Sequence, residues 1–139
     1  MEKPTWIIHA VIDQGLEYKD KFPDKDLSYL GNFHTHGLKQ YDHRDLCLVL
    51  NFPEKIAAGL LNSMGMRIAE NETVFTEGIR TDILENGMDV QLMVFDGDST
   101  LYVILPDQNG KLPSDDTCEV PYKYQYDYAK ILSENGSYV

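Results

Sequence analysis

Three of the chain's four histidines fall within ten positions, in the stretch "GNFHTHGLKQYDHRDL" from Gly31 to Leu46. His34 and His36 stand two apart, His43 follows, and Asp42 and Asp45 flank it. On a strand, residues i and i+2 project from one face, so His34 and His36 would present both imidazoles together. Two imidazoles side by side suit a divalent first-row metal ion such as zinc. His43 or Asp45 would supply a third ligand after a turn at Gly37, leaving a fourth position to bind and activate water. The candidate metal set is therefore His34, His36, His43 and Asp45. Without metal, His43 and Asp45 read as an acid–base dyad. The competing reading is structural, with half-buried imidazoles hydrogen-bonded to backbone or to Asp42 and Asp45.

Other reactive groups give weaker signals. His9, in "WIIHAVID", is a lone histidine on an apolar strand and reads as a satisfied core residue. It gains a ligand's role only if that strand lies beside "NFHTHGL". Cys47, inside "DLCLVL", reads as a buried and inert thiol. No G-x-S-x-G elbow and no Gly-rich phosphate loop occurs. "DGDS" (Asp96–Ser99) reads as a hairpin turn, because the rest of a calcium loop is missing. Metalloproteases of the JAMM/MPN type share the His-Thr-His element. Here Gly37 replaces their Pro, Arg44 stands where their Ser is expected, and Asp45 comes two positions early, so the likeness ends at "HTH". Tyr122, Tyr124, Tyr126 and Tyr128 form either a stacking platform or the cover of a core or dimer seam.

These groups need elements to hold them. "TWIIHAVID" and "LSYLGNFHTHGL" read as strands, the second stopping at Gly37. "QGLEYKDKFPDKD", between them, reads as a loop. "DLCLVLNF" is a continuous apolar run, which predicts a strand buried on both faces. "NFPEKIAAGLLNSMG" predicts a helix over about 52–64. Asn51 and Glu54 form a capping box, Ile56, Leu60 and Met64, flanked by Ala57 and Leu61, make the apolar stripe, and Gly65 is the C-cap. The following stretch to Gly87 holds one or two short strands, with turns at Asn71, Gly78 and Gly87. "DVQLMVFDGDSTLYVILPD" alternates on both arms and predicts a hairpin. "PDQNGKLPSDD" is loop, with Cys118 in a polar loop just beyond it. The tyrosines at a spacing of two fit a strand with all four on one face, but pairing of Tyr124 with Tyr128 and Ile131 favours a helix from about Pro121, ended by Gly136. The expected architecture is α+β: a mostly antiparallel sheet packed by one long helix and a C-terminal helix.

The chain of 139 residues carries 12 Lys and Arg against 23 Asp and Glu, a net charge of −11. Its length is that of one domain spanning 1–139. The negative field opposes nucleic acid and anionic membranes as partners. No apolar run has the ~18 residues of a membrane span, and the start lacks the pattern of a secretory signal. Two cysteines are too few for a disulfide framework, which points to the cytoplasm.

Taken in order, "HTHGLKQYDHRDLCLVLNFPEKIAAGLLNSMGMRI", "FTEGI" and "LYVILPDQNGKLPSDDTCEVPYKYQ" resemble the bacterial domain-of-unknown-function family catalogued as number 4262. The resemblance runs from about Gly31 to Gln125. It marks Thr35, Gly37, Leu38, His43, Asp45, Leu61, Asn62, Pro106, Asp107, Gly110 and Pro113. Leu112 and Ser114 depart from the family's usual Phe and Trp. The family has no activity to transfer. The resemblance implies one bacterial domain and favours the His43–Asp45 pair over His34 and His36, which vary in the pattern.

The sequence therefore predicts an uncharacterised, acidic, cytoplasmic binding or regulatory module, acting as a homodimer on a protein or small-molecule ligand. Thr35, Gly37, Asp107 and Tyr122 are its candidate ligand contacts. The alternative is a metal-assisted hydrolase using His34, His36 and His43 with Asp45.

Overall fold

A five-residue strand with no exposed position must be covered on both sides, and "LCLVL" is such a strand. The computed structural model describes residues 6–11 and 27–135. Its strands are β1 (Ile7–Val11), β2 (Leu30–His36), β3 (Leu46–Leu50), β4 (Gly78–Arg80), β5 (Val90–Met93) and β6 (Leu101–Ile104). Helix α1 spans Glu54–Asn71 and α2 spans Gln125–Asn135, with 3-10 turns at Leu38–Tyr41 and Tyr122–Tyr124. The strands form one sheet in the order β1-β2-β3-β6-β5-β4. Every pairing is antiparallel except β3 with β6. The α+β architecture is as the sequence predicts, and the one parallel pair lies at its buried centre.

Each face of the sheet carries a helix. On one face Ala57, Leu61, Met64 and Ile68 of α1 pack with Phe33, Leu46, Leu48, Leu101 and Val103. On the other, Tyr128, Ala129, Ile131 and Leu132 of α2 pack with Cys47, Val49, Tyr102 and Ile104. Alternation along β3 and β6 sends successive residues to the two layers. Each fully buried Leu, Ile or Met contributes about 1.5–3 kcal/mol.

Helix α1 departs from its expected bounds. It runs past Gly65 to Asn71, and Glu72, at φ 56°, ends it with its N–H donating to Arg67 O. Gly65 is mid-helix because the Trp6 indole lies on it; a Cβ there would come within 2.7 Å of two ring atoms. The capping box from Asn51 is absent: Pro53 is the N-cap, without a side-chain bond. The buried stripe is Ala57, Leu61, Met64, Gly65 and Ile68, while Ile56 is 61% exposed. Small residues at 57 and 65 line the docking face, so the stripe is rotated by one position from the expected one.

The hairpin of β5 and β6 forms as expected, turning through Gly97 at φ 79°. The tyrosine tail is helical as expected, and the rings of Tyr124 and Tyr128 pair at 6.1 Å. The loop expected between β1 and β2, and the stop at Gly136, fall outside the described residues. Among the described residues, no helix is long and apolar enough to cross a membrane.

Candidate functional site

The stretch from Asn32 to Asp45 divides into two unlike parts. Thr35 turns to the α1 side of β2, where its hydroxyl donates to Asp45 Oδ1 at 2.8 Å and accepts the Leu46 N–H at 2.9 Å. The same Asp45 oxygen accepts the Leu38 N–H at 3.1 Å. Gly37, at φ 116°, takes a conformation that a side chain would strain, and begins the 3-10 turn. Leu38 beneath it is fully buried. His43 is also buried, and both its ring nitrogens are occupied. Nδ1–H donates to Arg44 O at 2.8 Å, and Nε2 accepts the Phe75 N–H at 2.9 Å. This fixes the Nδ1–H tautomer and ties the turn to the segment after α1.

His43 and Asp45 therefore serve different partners and do not form the expected dyad. Nor does His43 join His34 and His36. Among the described residues, no group of three or more His, Cys, Asp or Glu converges as a metal site. The structure does not bring the expected set of His34, His36, His43 and Asp45 to one point. The physical reason is that His43 follows the turn and is turned back against Phe75, with an edge-to-face ring contact at 6.0 Å.

The second part is a polar row on the other face of β2. His34 Nε2 and His36 Nε2 are 3.0 Å apart, with ring planes at 80°. His34 Nδ1 lies 2.8 Å from Asn32 Oδ1. An amide oxygen only accepts, so His34 carries its proton on Nδ1 and donates it to Asn32. The Cys47 thiol, opposite His34 in register, points its Sγ at the same oxygen at 3.6 Å. Asn32 and Cys47 are fully buried and His34 is 2% exposed. Burial, and then the negative charge of Asp98, push the Cys47 thiol well above its ordinary value. It is therefore an inert thiol, as expected.

The row opens outward at His36. His34, Thr35, His36, Lys39, Asp45, Ser99 and Thr100 line a cavity of about 390 Å³, so Thr35, an expected ligand contact, borders it while its hydroxyl serves Asp45 and Leu46. It shares Lys39 and Ser99 with a shallower hollow that adds Asp42, His43 and Arg44. The residues come from three places: the end of β2, the turn after it, and the residues just before β6. The parallel pairing Leu46↔Leu101 brings Ser99 and Thr100 there. That pairing bridges more than fifty residues, and no local sequence signal announces it. Asn32 is a member of the row that the histidine pattern alone does not mark; its signal in the sequence is alternation with His34 and His36.

Asp107 and Tyr122 lie away from this cleft. Asp107 follows the opposite end of β6, where Oδ1 accepts the N–H groups of Asn109 and Lys111 and Oδ2 accepts that of Glu119. Burial raises its pKa, but these backbone donors and the charge of Lys111 outweigh that and hold it below the ordinary value. It organises the "PDQNG" loop. Cys118, expected in a polar loop, is 4% exposed and donates its thiol to Lys111 O at 3.2 Å. Tyr122 packs its ring against Phe52 at 6.3 Å. Comparison with protein-family models, curated proteins and solved structures finds no match for the chain.

Proposed function

We propose that this protein is a non-enzymatic binding module that holds a small anionic ligand, a carboxylate or phosphate, in the cleft at the end of β2. The observation that carries the reading is the cleft's charge. Acidic residues outnumber basic ones by 23 to 12 in the chain. Around the cleft and its adjoining hollow, Lys39 and Arg44 balance Asp42 and Asp45, and His36, Ser99 and Thr100 add donors, the Thr35 hydroxyl being given to Asp45. One Asp45 oxygen is already engaged by Thr35 and Leu38. The ion pairs given by the described residues join Arg67, Arg80 and Lys111 to Asp82 and Asp115, and Lys39 and Arg44 are in none of them. The cavity volume lies in the usual range for small ligands, about 300–1,000 Å³.

The test is an NMR titration of metal-stripped protein with inorganic phosphate and with succinate. Saturable shifts at Lys39, Arg44, Ser99 and Thr100 are expected, with about tenfold weaker binding in Lys39→Ala, the loss of one charge-assisted hydrogen bond. Absence of saturable shifts at these residues refutes the reading.

A second reading, metal-assisted chemistry, keeps one specific observation in its favour. The two Nε2 atoms of His34 and His36 face each other across 3.0 Å at the inner wall of the cleft.

A further inference from the structure

Seven polar residues are buried among the described residues. Six of them have side-chain hydrogen bonds: Asn32 and His34 with each other, Thr35 with Asp45, His43 with Arg44 and Phe75, Asp107 with its own loop, and Gln125 with Leu105. The seventh is Thr100, at 4% exposure. Its backbone N–H donates to Asp98 Oδ1 at 3.0 Å, and its hydroxyl meets no hydrogen-bond partner among the described residues. A buried hydroxyl is ordinarily bonded, because one left alone forfeits its hydration. This one lines the cleft at the end of β2, so its partner comes from within the cleft.

Two opposite charges share that wall. Lys39 and Asp45 line the same cavity, and among the described residues no ion pair joins them. The Leu101 N–H donates to Asp45 O at 2.9 Å, which sets Asp45 beside Thr100. Asp45 Oδ1 accepts the Thr35 hydroxyl and the Leu38 N–H. Oδ2 takes no hydrogen bond among the described residues. A carboxylate offers about four acceptor sites, so Asp45 has capacity left over. A dianion in this cleft would set like charge against Asp45. A ligand that carries both signs meets Lys39 with one end and Asp45 with the other.

We infer that the ligand of this cleft is a small zwitterion of the amino-acid type, its carboxylate taken by Lys39 and the Thr100 hydroxyl and its ammonium by Asp45 Oδ2. This rests on the cleft reading above and narrows its anion to a carboxylate with a neighbouring ammonium. Charge-assisted hydrogen bonds at both ends supply affinity and fix the ligand's direction. The cavity of about 390 Å³ leaves room for the ligand's own side chain.

L-Aspartate is succinate with one hydrogen replaced by an ammonium group, so the two probes isolate the part played by Asp45. The test is NMR titration of metal-stripped wild-type protein with each. Saturable shifts at Lys39, Asp45 and Thr100 are expected, with L-aspartate bound about tenfold more tightly than succinate, the gain of one charge-assisted hydrogen bond. Asp45→Asn keeps an oxygen for Thr35 and Leu38 but loses the charge, and the preference should vanish. Thr100→Val should weaken L-aspartate about fivefold, the loss of one hydrogen bond, while the melting temperature stays level or rises, which a structural role for the hydroxyl would not allow. The wild-type comparison needs no substitution, so a variant that fails to fold leaves the test intact. Equal binding of L-aspartate and succinate at the cleft overturns the zwitterion and keeps the cleft reading. A preference that survives in Asp45→Asn, or affinity unchanged in Thr100→Val, overturns the assignment of the ligand's two ends. Absence of saturable shifts with L-aspartate, succinate and phosphate alike removes the cleft reading and this inference with it.

Discussion

Thr35 and His34 are neighbours in the chain and belong to different kinds of structure. On the Thr35 side, polar side chains serve the backbone or each other in closing a turn. Asp45 accepts Thr35 and Leu38, and His43 holds Arg44 O and the Phe75 N–H. On the His34 side, side chains meet side chains in a row of Asn32, His34 and His36, with Cys47 beside them. The first pattern is what a turn needs in order to bury its polar groups without loss. The second is joined side chain to side chain, from buried Asn32 out to His36 at the cavity. Polar residues clustered in sequence are thus no single site. Strand alternation sorts them into one set that closes the turn and another whose side chains bond to one another across the opposite face.

The largest effects of substitution should fall on the turn. Asp45→Ala leaves the Thr35 hydroxyl and the Leu38 N–H without their acceptor and should cost about 3 kcal/mol of stability. His43→Ala strands the buried Phe75 N–H and should cost about 2 kcal/mol. Urea unfolding measures both, and the comparison breaks if either variant is as stable as the wild type.

Acid should act next, through the loop after β6. The Asp107 carboxyl sits below its ordinary value of 3.8 in the folded chain. A depressed pKa contributes stability that is present above the unfolded value and lost as pH falls through the folded one. Asp107→Asn should therefore melt at a lower temperature at neutral pH and show a shallower fall below about pH 4 than the wild type. Asp82 and Asp115 keep part of that slope in the variant. Asp82 is held low by hydrogen bonds from Arg80 and Arg67, and Asp115 by those from Thr117. Melting curves from pH 2 to 7 decide it, and an unchanged slope removes Asp107 from the account.

The smallest stability change belongs to the histidine row's outer end. His36→Ala removes the hydrogen-bonding partner of the buried His34 Nε2 and should cost about 1 kcal/mol of stability, less than His43→Ala. A loss as large as that of His43→Ala would make the row structural too and erase the contrast.

Much of this molecule was legible in its residues. The unbroken apolar run 46–50 and the alternating arms 90–94 and 101–105 are legible by period and punctuation, whereas the tail's tyrosines at a spacing of two fit a strand as well as a helix. These signals are local, because a strand or helix exposes its period within a few residues. The helix 54–71 shows where locality stops. Gly65 and Asn51 carry good capping chemistry, but the Trp6 ring on Gly65 and the core face at Ala57 and Leu61 outweighed it. Tertiary burial of several side chains exceeds the roughly 1 kcal/mol of a cap.

For the site, the sequence determined that His34 and His36 share a face, that Cys47 is an inert core thiol, and that Gly37 ends the strand. Only the tertiary structure decided which histidine stands with that pair. Sequence nearness favours His43, while the β1–β2 register sets the backbone of His9 opposite His34. Likewise, only the parallel β3–β6 pairing brings Ser99 and Thr100 to the cleft. The reason is physical: side-chain period follows from backbone geometry within one element. The choice of neighbouring strand is a sum over the whole core, which no short stretch contains.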